Sequence, residues 1–245
     1  QHSEKEVKEI LHKKHQTPAE LKEYPEPIVF NESENTENKV YVVDYDMVQA
    51  QILLVSKDEQ LNPEIIPYAR LYQEYFGAGL SSVFFQEIRE SRALAYTAMS
   101  VFSVPGEKDK PHFVYAYAAT QADKMIEATN AMLELLNEMP RSEIQFNAAS
   151  DAIRKKIETE RIIKKGIFWT WLSNRDMGID YDYRRDVYQQ VEKIDISEME
   201  TFFNTHIKGK KYNFLVLGDK KFLDMEGLSK LGEVKILELE DIFRY

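Results

Sequence analysis

The sequence predicts an α+β fold: a mixed, largely antiparallel sheet with helices packed on one face. Three observations carry this expectation. Val40–Val43 and Ile52–Val55 form β-rich runs early in the chain. Tyr96–Val104 and His112–Ala119 read as an antiparallel pair around the turn-rich Pro105-Gly106-Glu107-Lys108-Asp109. The chain after Thr120 is mostly helical. Few strands alternate strictly with helices, so a doubly wound sheet is the poorer match.

In chain order, residues 1–27 are charged and punctuated by proline. A helix is expected from Glu4 to His15, then extended or turn backbone at Thr17-Pro18 and Pro25-Glu26-Pro27. The all-polar stretch Asn31–Asn38 reads as a loop between two strands, and Lys39–Ser56 as two strands or one long bent one. Pro63 opens a helix to about Phe76, because the first helical turn has spare N–H groups. Gly77 and Gly79 interrupt it, and a second helix runs from about Ser81 to Glu90.

Thr120-x-x-Asp123, Ser142-x-x-Gln145 and Ser197-x-x-Glu200 each match a capping box, and the first two bound helices of about 121–138 and 142–164. Met125, Ile126, Ala128, Met132, Leu133 and Leu136 keep close to a 3.6-residue repeat. Helices near 167–177 and 182–192, a strand at Tyr212–Leu217, a short helix near 224–231 and a last strand at Val234–Leu237 follow. There is no repeat at solenoid periods and no low-complexity tract.

Composition removes several function classes. The net charge of −10 argues against a general nucleic-acid binder, whose phosphate contacts need a basic surface. With no cysteine there are no disulfides, thiolate metal sites or cysteine nucleophile. The longest apolar run, around Ile52–Val55, is strand-sized, so no membrane span is expected. The polar start, Gln1-His2-Ser3-Glu4-Lys5, has no signal-peptide core, and its lack of methionine predicts a processed or truncated chain. Periplasmic and cytoplasmic locations stay open.

A catalytic zinc needs three protein ligands and an open position. His12 and His15 lie three apart on the first helix, but Lys13 and Lys14 separate them and no carboxylate serves as base; a solvated charged face is expected. His112 and His206 are isolated and read as surface or capping residues. Gly77-Ala78-Gly79-Leu80-Ser81-Ser82 lacks the Lys-Ser/Thr of a phosphate loop; Gly77 ends one helix, and Ser81 or Ser82 caps the next. Glu87, Glu90, Asp44 and Asp46 read as ordinary surface carboxylates. Phe168-Trp169-Thr170-Trp171 is either a binding surface or, as is commoner for aromatics on one helix, core or domain interface.

Arg89 and Tyr96 have more chemical potential. A guanidinium fork and a phenol hydroxyl converging on a carbonyl oxygen would hold a peptide and stabilise the charge that develops as water attacks it. Spacing alone favours the plainer arrangement, in which Arg89 pairs with Glu87 or Glu90 and Tyr96 packs in the sheet.

The run Arg89-Glu90-Ser91-Arg92-Ala93-Leu94-Ala95-Tyr96 fits the pattern R-E-x-x-x-L-x-Y. Together with Gly77–Gln86 before it, it resembles the second, zinc-free domain of insulinase-type (pitrilysin family) metallopeptidases, relatives of mitochondrial processing peptidase. Gln49-Ala50-Gln51-Ile52, the helix opened by Pro63 and Val216-Leu217-Gly218-Asp219 agree with it. The likeness covers about residues 39–245; residues 1–38 read as linker and lead-in strand. It implies the two-layer sandwich of LuxS and processing peptidases, with 1–30 a linker bearing a short helix and 31–245 one peptidase-type domain. Ala95 departs from the family, which often has glycine there.

The resemblance also implies a division of labour. Such enzymes carry zinc on an inverted H-x-x-E-H motif, which this chain lacks. No residue here is expected to be catalytic or to bind metal. Arg89 and Tyr96 would reach across an interdomain cavity to a peptide held at the zinc of a homologous domain, on the same polypeptide or a separate subunit. Peptide substrates and that domain are the implied partners, and the chain alone would be inactive. The alternative is a structural or scaffold subunit of the same fold.

Overall fold

The computed structural model describes residues 2–15, 18, 20–26 and 28–243. Two compact units make up the chain, Gln1–Glu32 and Ser33–Tyr245. In the first, helix α1 (Glu4–Lys14) starts at a reciprocal cap in which Ser3 Oγ accepts from the Glu6 N–H and Glu6 accepts from the Ser3 N–H. None of its residues is buried. Pro18 and Pro25 lie in irregular backbone, while Thr17 and Pro27 lie outside the described residues.

The second unit holds a six-stranded sheet. Its strands are β1 (Lys39–Asp44), β2 (Gln49–Gln60), β3 (Thr97–Phe102), β4 (Pro111–Gln121), β5 (Asn213–Gly218) and β6 (Glu233–Leu237), in the order β3-β4-β2-β5-β1-β6. The β3/β4, β2/β4 and β2/β5 pairs are antiparallel, and β1 runs parallel to both β5 and β6. The mixed, largely antiparallel sheet expected from the sequence is therefore present. Side chains alternate across its pleat: Val40, Val42, Ala50, Ile52, Leu54, Val114, Ala116, Ala118, Phe214 and Val216 are buried on the helix-covered face.

No described strand precedes Lys39, so Asn31–Asn38 is a lead-in loop and not a connection between strands. Its polar side chains substitute for a strand's bonds. Asn35 Oδ1 accepts from the Lys57 N–H at 2.9 Å, and Asn38 Oδ1 accepts from the Tyr212 N–H at 2.9 Å.

The helical layer opens with a 3₁₀ turn at Pro63–Ile65, helix α2 (Ile66–Tyr72) and a π-helical turn at Gln73–Gly77. After the short α3 (Val83–Phe85) and a second π turn come α4 (Met125–Asn137), α5 (Glu143–Thr159), α6 (Lys164–Asp176), α7 (Arg184–Gln190) and α8 (Ile196–His206). Helices α9 (Met225–Leu231) and α10 (Leu239–Phe243) flank β6. Helix α4 lies on β2 and β4, α9 lies on β1, and α5, α7 and α8 pack on α2.

Two expected caps are used differently. Thr120 belongs to β4, and its hydroxyl donates to the Leu94 carbonyl, so the helical backbone beginning at Ala122 has no side-chain cap. Helix α8 is capped by Asp195, two residues before Ser197: Asp195 Oδ1 accepts from the Ser197 and Glu198 N–H groups, and Glu198 returns a bond to the Asp195 N–H. Ser142 does cap α5, accepting from the Gln145 N–H.

The helix ending at Gly77 sits directly on the edge strand. A Cβ at Gly77 would lie 1.9 Å from the Ser100 carbonyl oxygen, and the buried Tyr72 hydroxyl hydrogen-bonds Ser100 Oγ. Gly77 thus ends the helix as expected, for a reason of close approach. Replacing it forces backbone to move, so Gly77→Ala is expected to cost about 1–3 kcal/mol, the range of core overpacking. Urea unfolding measures this, and an unchanged midpoint would show the contact to be slack.

Candidate functional site

The site forms where helix passes into edge strand. Ser82 starts α3 by accepting from the Phe85 N–H. The backbone then widens into a π turn at Gln86–Ser91, which carries Arg89; such turns recur at functional sites. It closes through the Arg92 N–H to the Glu87 carbonyl, Ala93 N–H to Arg89 and Leu94 N–H to Ile88. Ala93 takes the left-handed conformation, with φ at 50°, at a cost of about 1–2 kcal/mol for an L-residue.

Burial on either side holds this turn. Ile88, Leu94 and Ala95 enter the core, and the Tyr96 N–H donates to the Ala119 carbonyl at 2.9 Å. Arg92 forks onto Glu134 of α4 at 2.7 and 3.1 Å, and that bond holds the Glu134 carboxyl below its ordinary range. The unusual residue is therefore Ala93; Ala95 is buried and unstrained.

With its flanks fixed, the turn brings Arg89 and Tyr96 together. Arg89 Cζ stands 5.3 Å from the centre of the Tyr96 ring and 4.9 Å from that of Phe85. Its Nε lies 3.5 Å from Glu90, so the expected local ion pair exists beside the aromatic stacking. Tyr96 does not pack in the sheet: it is 71% exposed, just ahead of β3. Among the described residues, neither the Tyr96 hydroxyl nor the Arg89 Nη atoms hydrogen-bond the protein. The site thus offers a planar cationic fork and a phenol donor side by side, both open to a ligand.

Other sequence-derived candidates fall elsewhere. His12 is on α1 and His15 ends it, both exposed. His112 and His206 are not surface or capping residues, because the end of β2 draws both inward. His112 is buried; its Nε2 accepts from the Asn62 N–H and Nδ1 donates to the Ser103 carbonyl, while burial pushes its pKa down. His206 Nδ1 lies 3.0 Å from Asp58 Oδ1. The aromatic run at 168–171 is not core: Phe168, Trp169 and Trp171 are exposed by 55, 66 and 48%.

Asp58, Glu59 and His206 place ligand atoms within 4.8 Å of one another, a cluster that sequence reasoning missed. The Lys210 ammonium lies 2.6 Å from Asp58 Oδ2, while His206 and the Glu59 N–H share Oδ1. Both carboxylate oxygens are thus engaged, and the lysine charge opposes a cation. The cluster is an ion-pair knot tying β2 to the end of α8, not an open metal centre. Burial raises the Asp58 pKa, but bonds from His206, Lys210 and the Glu59 backbone outweigh it and bring it down to about 2.

A mixed six-stranded sheet with helices over one face puts the chain in a recognisable class of α+β domain. The family model for the peptidase M16 inactive domain matches residues 3–152, and the chain belongs to that family. No curated protein sequence matches. Among solved structures it is similar to a protease from Helicobacter pylori (TM-score 0.66, 16% identity, 88% of this chain and 52% of that one). It is also similar to a peptidase M16 inactive domain from Pseudomonas fluorescens (0.63, 14%, 86% and 48%). A chain of complex III2 from Candida albicans gives 0.62, 14%, 94% and 57%. At these identities the likeness carries the fold alone, and the chain spans about half the length of these relatives.

Two stability tests follow from the geometry. Ala93→Gly keeps the turn without the Cβ penalty and is expected to change stability by less than about 1 kcal/mol, in the stabilising direction. Ala93→Val should lower the melting temperature; equal tolerance of both changes would mean the turn has another backbone conformation. The Asp58 contribution is fully present above about pH 4, the unfolded carboxylate range, and is lost as pH falls through about 2. Denaturation measured against pH should show that decline, and Asp58→Asn should remove it and cost about 2 kcal/mol at pH 7.

Proposed function

We propose that this chain is the non-catalytic, peptide-substrate-binding domain of a zinc metalloendopeptidase, closing over a zinc-bearing M16 domain that lies outside it. Membership in the inactive-domain family supports the non-catalytic assignment. The observation that carries the substrate role is the contact of Arg89 with the Tyr96 ring, with the Arg89 Nη atoms and the Tyr96 hydroxyl unoccupied among the described residues.

In this reading the partner's zinc supplies the activated water for peptide hydrolysis. The residues of this chain bind and orient. The Arg89 fork and the Tyr96 hydroxyl donate to a carbonyl oxygen of the bound peptide, and those bonds strengthen as negative charge develops there. Contact with the Phe85 and Tyr96 rings restrains the guanidinium before substrate arrives, which lowers the entropy cost of aiming it.

A second reading, a structural subunit with no proteolytic role, draws support from the likeness to a chain of complex III2. The two readings separate on one assay. This chain, the zinc-bearing domain and the pair are each given a quenched fluorogenic peptide library. Activity is expected only in the pair. Tyr96→Phe and Arg89→Ala should lower kcat/KM by about ten- to a thousandfold, the scale of a lost oxyanion donor. Arg89→Lys should also fall short, because an ammonium cannot reproduce the fork. Normal cleavage by these variants, or an inactive pair, leaves the scaffold reading; zinc-dependent cleavage by this chain alone rules out both.

A further inference from the structure

Helix α6 buries only Asn174. A free helix of 13 residues is marginal in water, and this one exposes Phe168 and both tryptophans of the chain. The rings form one cluster, with Phe168 5.2 Å from Trp169 and 6.1 Å from Trp171, and Arg175 lies 5.0 Å from the centre of the Trp171 ring. They leave on the order of 300 Å² uncovered, and the exposed Ile162, Ile163 and Ile167 extend the patch. Beside Trp171 lies a cleft of about 290 Å³, whose walls include Ile162, Ile167 and Tyr181 together with Asp180 and the Asp182–Arg184 pair. The largest apolar patch of a typical monomer is about 300–600 Å², and a stable interface takes about 800 Å² from each partner.

We propose that the aromatic face of α6 is the docking surface for the zinc-bearing M16 domain, and that this partner presents an acidic, apolar-pocketed surface to it. The inference rests on the proposed function for the partner's identity. Charge narrows the choice. Arg161, Lys164 and Lys165 pair with no carboxylate among the described residues. At 100° per residue, Lys164 and Arg175 fall between Trp171 and Phe168, while Lys165 and the carboxylate Asp176 at the helix end fall between Phe168 and Trp169, so cations remain in excess on this face.

Membrane-surface helices segregate their cations from their apolar face; here the two are interleaved. A two-fold pairing of α6 with itself would set the same cations against one another. A folded protein can place a carboxylate beside each apolar pocket, the pattern expected of an aromatic- and arginine-rich interface centre. The solved relatives are about twice as long as this chain, which leaves room in each for a second domain of similar size.

Both tryptophans lie on α6, so within this chain selectively excited tryptophan emission reports this face, read against the partner's own emission as blank. The chain would be titrated with the zinc-bearing M16 domain encoded in the same or an adjacent gene. A saturable blue shift and co-elution are expected. Trp169→Ala and Trp171→Ala, each leaving the other as reporter, should raise Kd by about ten- to a hundredfold with the far-UV spectrum unchanged. Lys164→Glu with Lys165→Glu should weaken binding and reduce its salt dependence.

A shift that grows with the chain's own concentration would overturn the proposal in favour of self-association. A shift on anionic phospholipid vesicles would overturn it in favour of a membrane. Restored cleavage with silent tryptophans removes the docking face and leaves the substrate role of Arg89 and Tyr96. A blue-shifted complex that cleaves nothing does the reverse. No complex and no cleavage overturns both.

Discussion

Edge strand β3 is held from two directions, and the site depends on both. On one side its backbone pairs with β4, from Thr97 opposite Ala119 to Phe102 opposite Val114. On the other, the helix ending at Gly77 approaches so closely that no side chain fits between them. The Tyr72–Ser100 hydrogen bond lies buried at this contact. Such a contact tolerates little sliding, because a close-packed interior has no slack to absorb it. The start of β3, and so the Tyr96 backbone, is therefore fixed before any side chain at the surface contributes.

That fixed point meets a second one. Ile88 anchors the π turn in the core, Leu94 and Ala95 anchor the strand approach, and the residues between must bridge the two. The left-handed Ala93 follows from this geometry: the chain accepts a local cost because the apolar groups on both sides gain more from burial. Arg89 and Tyr96 sit at the two ends of the bridge. Their stacking is thus set mainly by buried neighbours, which explains how two partly exposed side chains share one orientation.

Much of this frame was legible in the sequence. The apolar repeat of α4, the β-rich runs and the hairpin around Pro105–Asp109 all lie in local patterns, whereas the spacing of Arg89 and Tyr96 favoured a Tyr96 packed in the sheet, which it is not. What escaped has a physical cause in each case. Glu87–Ser91 is ordinary helix-forming sequence, and its π widening comes from tertiary anchoring of Ile88. Asp58 and His206 meet across 148 residues of chain, which no spacing rule can reach. Asp195-x-x-Glu198 and Ser197-x-x-Glu200 overlap, and the carboxylate prevailed by accepting from two N–H groups at once. The aromatics of α6 left core and domain interface both open, because large rings usually bury; their exposure removes the core reading.

The proposed roles of the two exposed features share a physical requirement. A hydrogen bond to developing charge is worth far more in a water-excluded cavity than in bulk solvent, because the effective dielectric falls. Arg89 and Tyr96 stand open to water in this chain, so their geometry is ready while their electrostatic strength is not. Helix α6 has the complementary deficit, with apolar rings that gain only when water is removed from them. A protein surface closing over each would answer its deficit, since it would exclude water at the donors and bury the rings. On this view the open donors and the open rings have the same requirement, and the strength of the site is coupled to whatever surface excludes water from it.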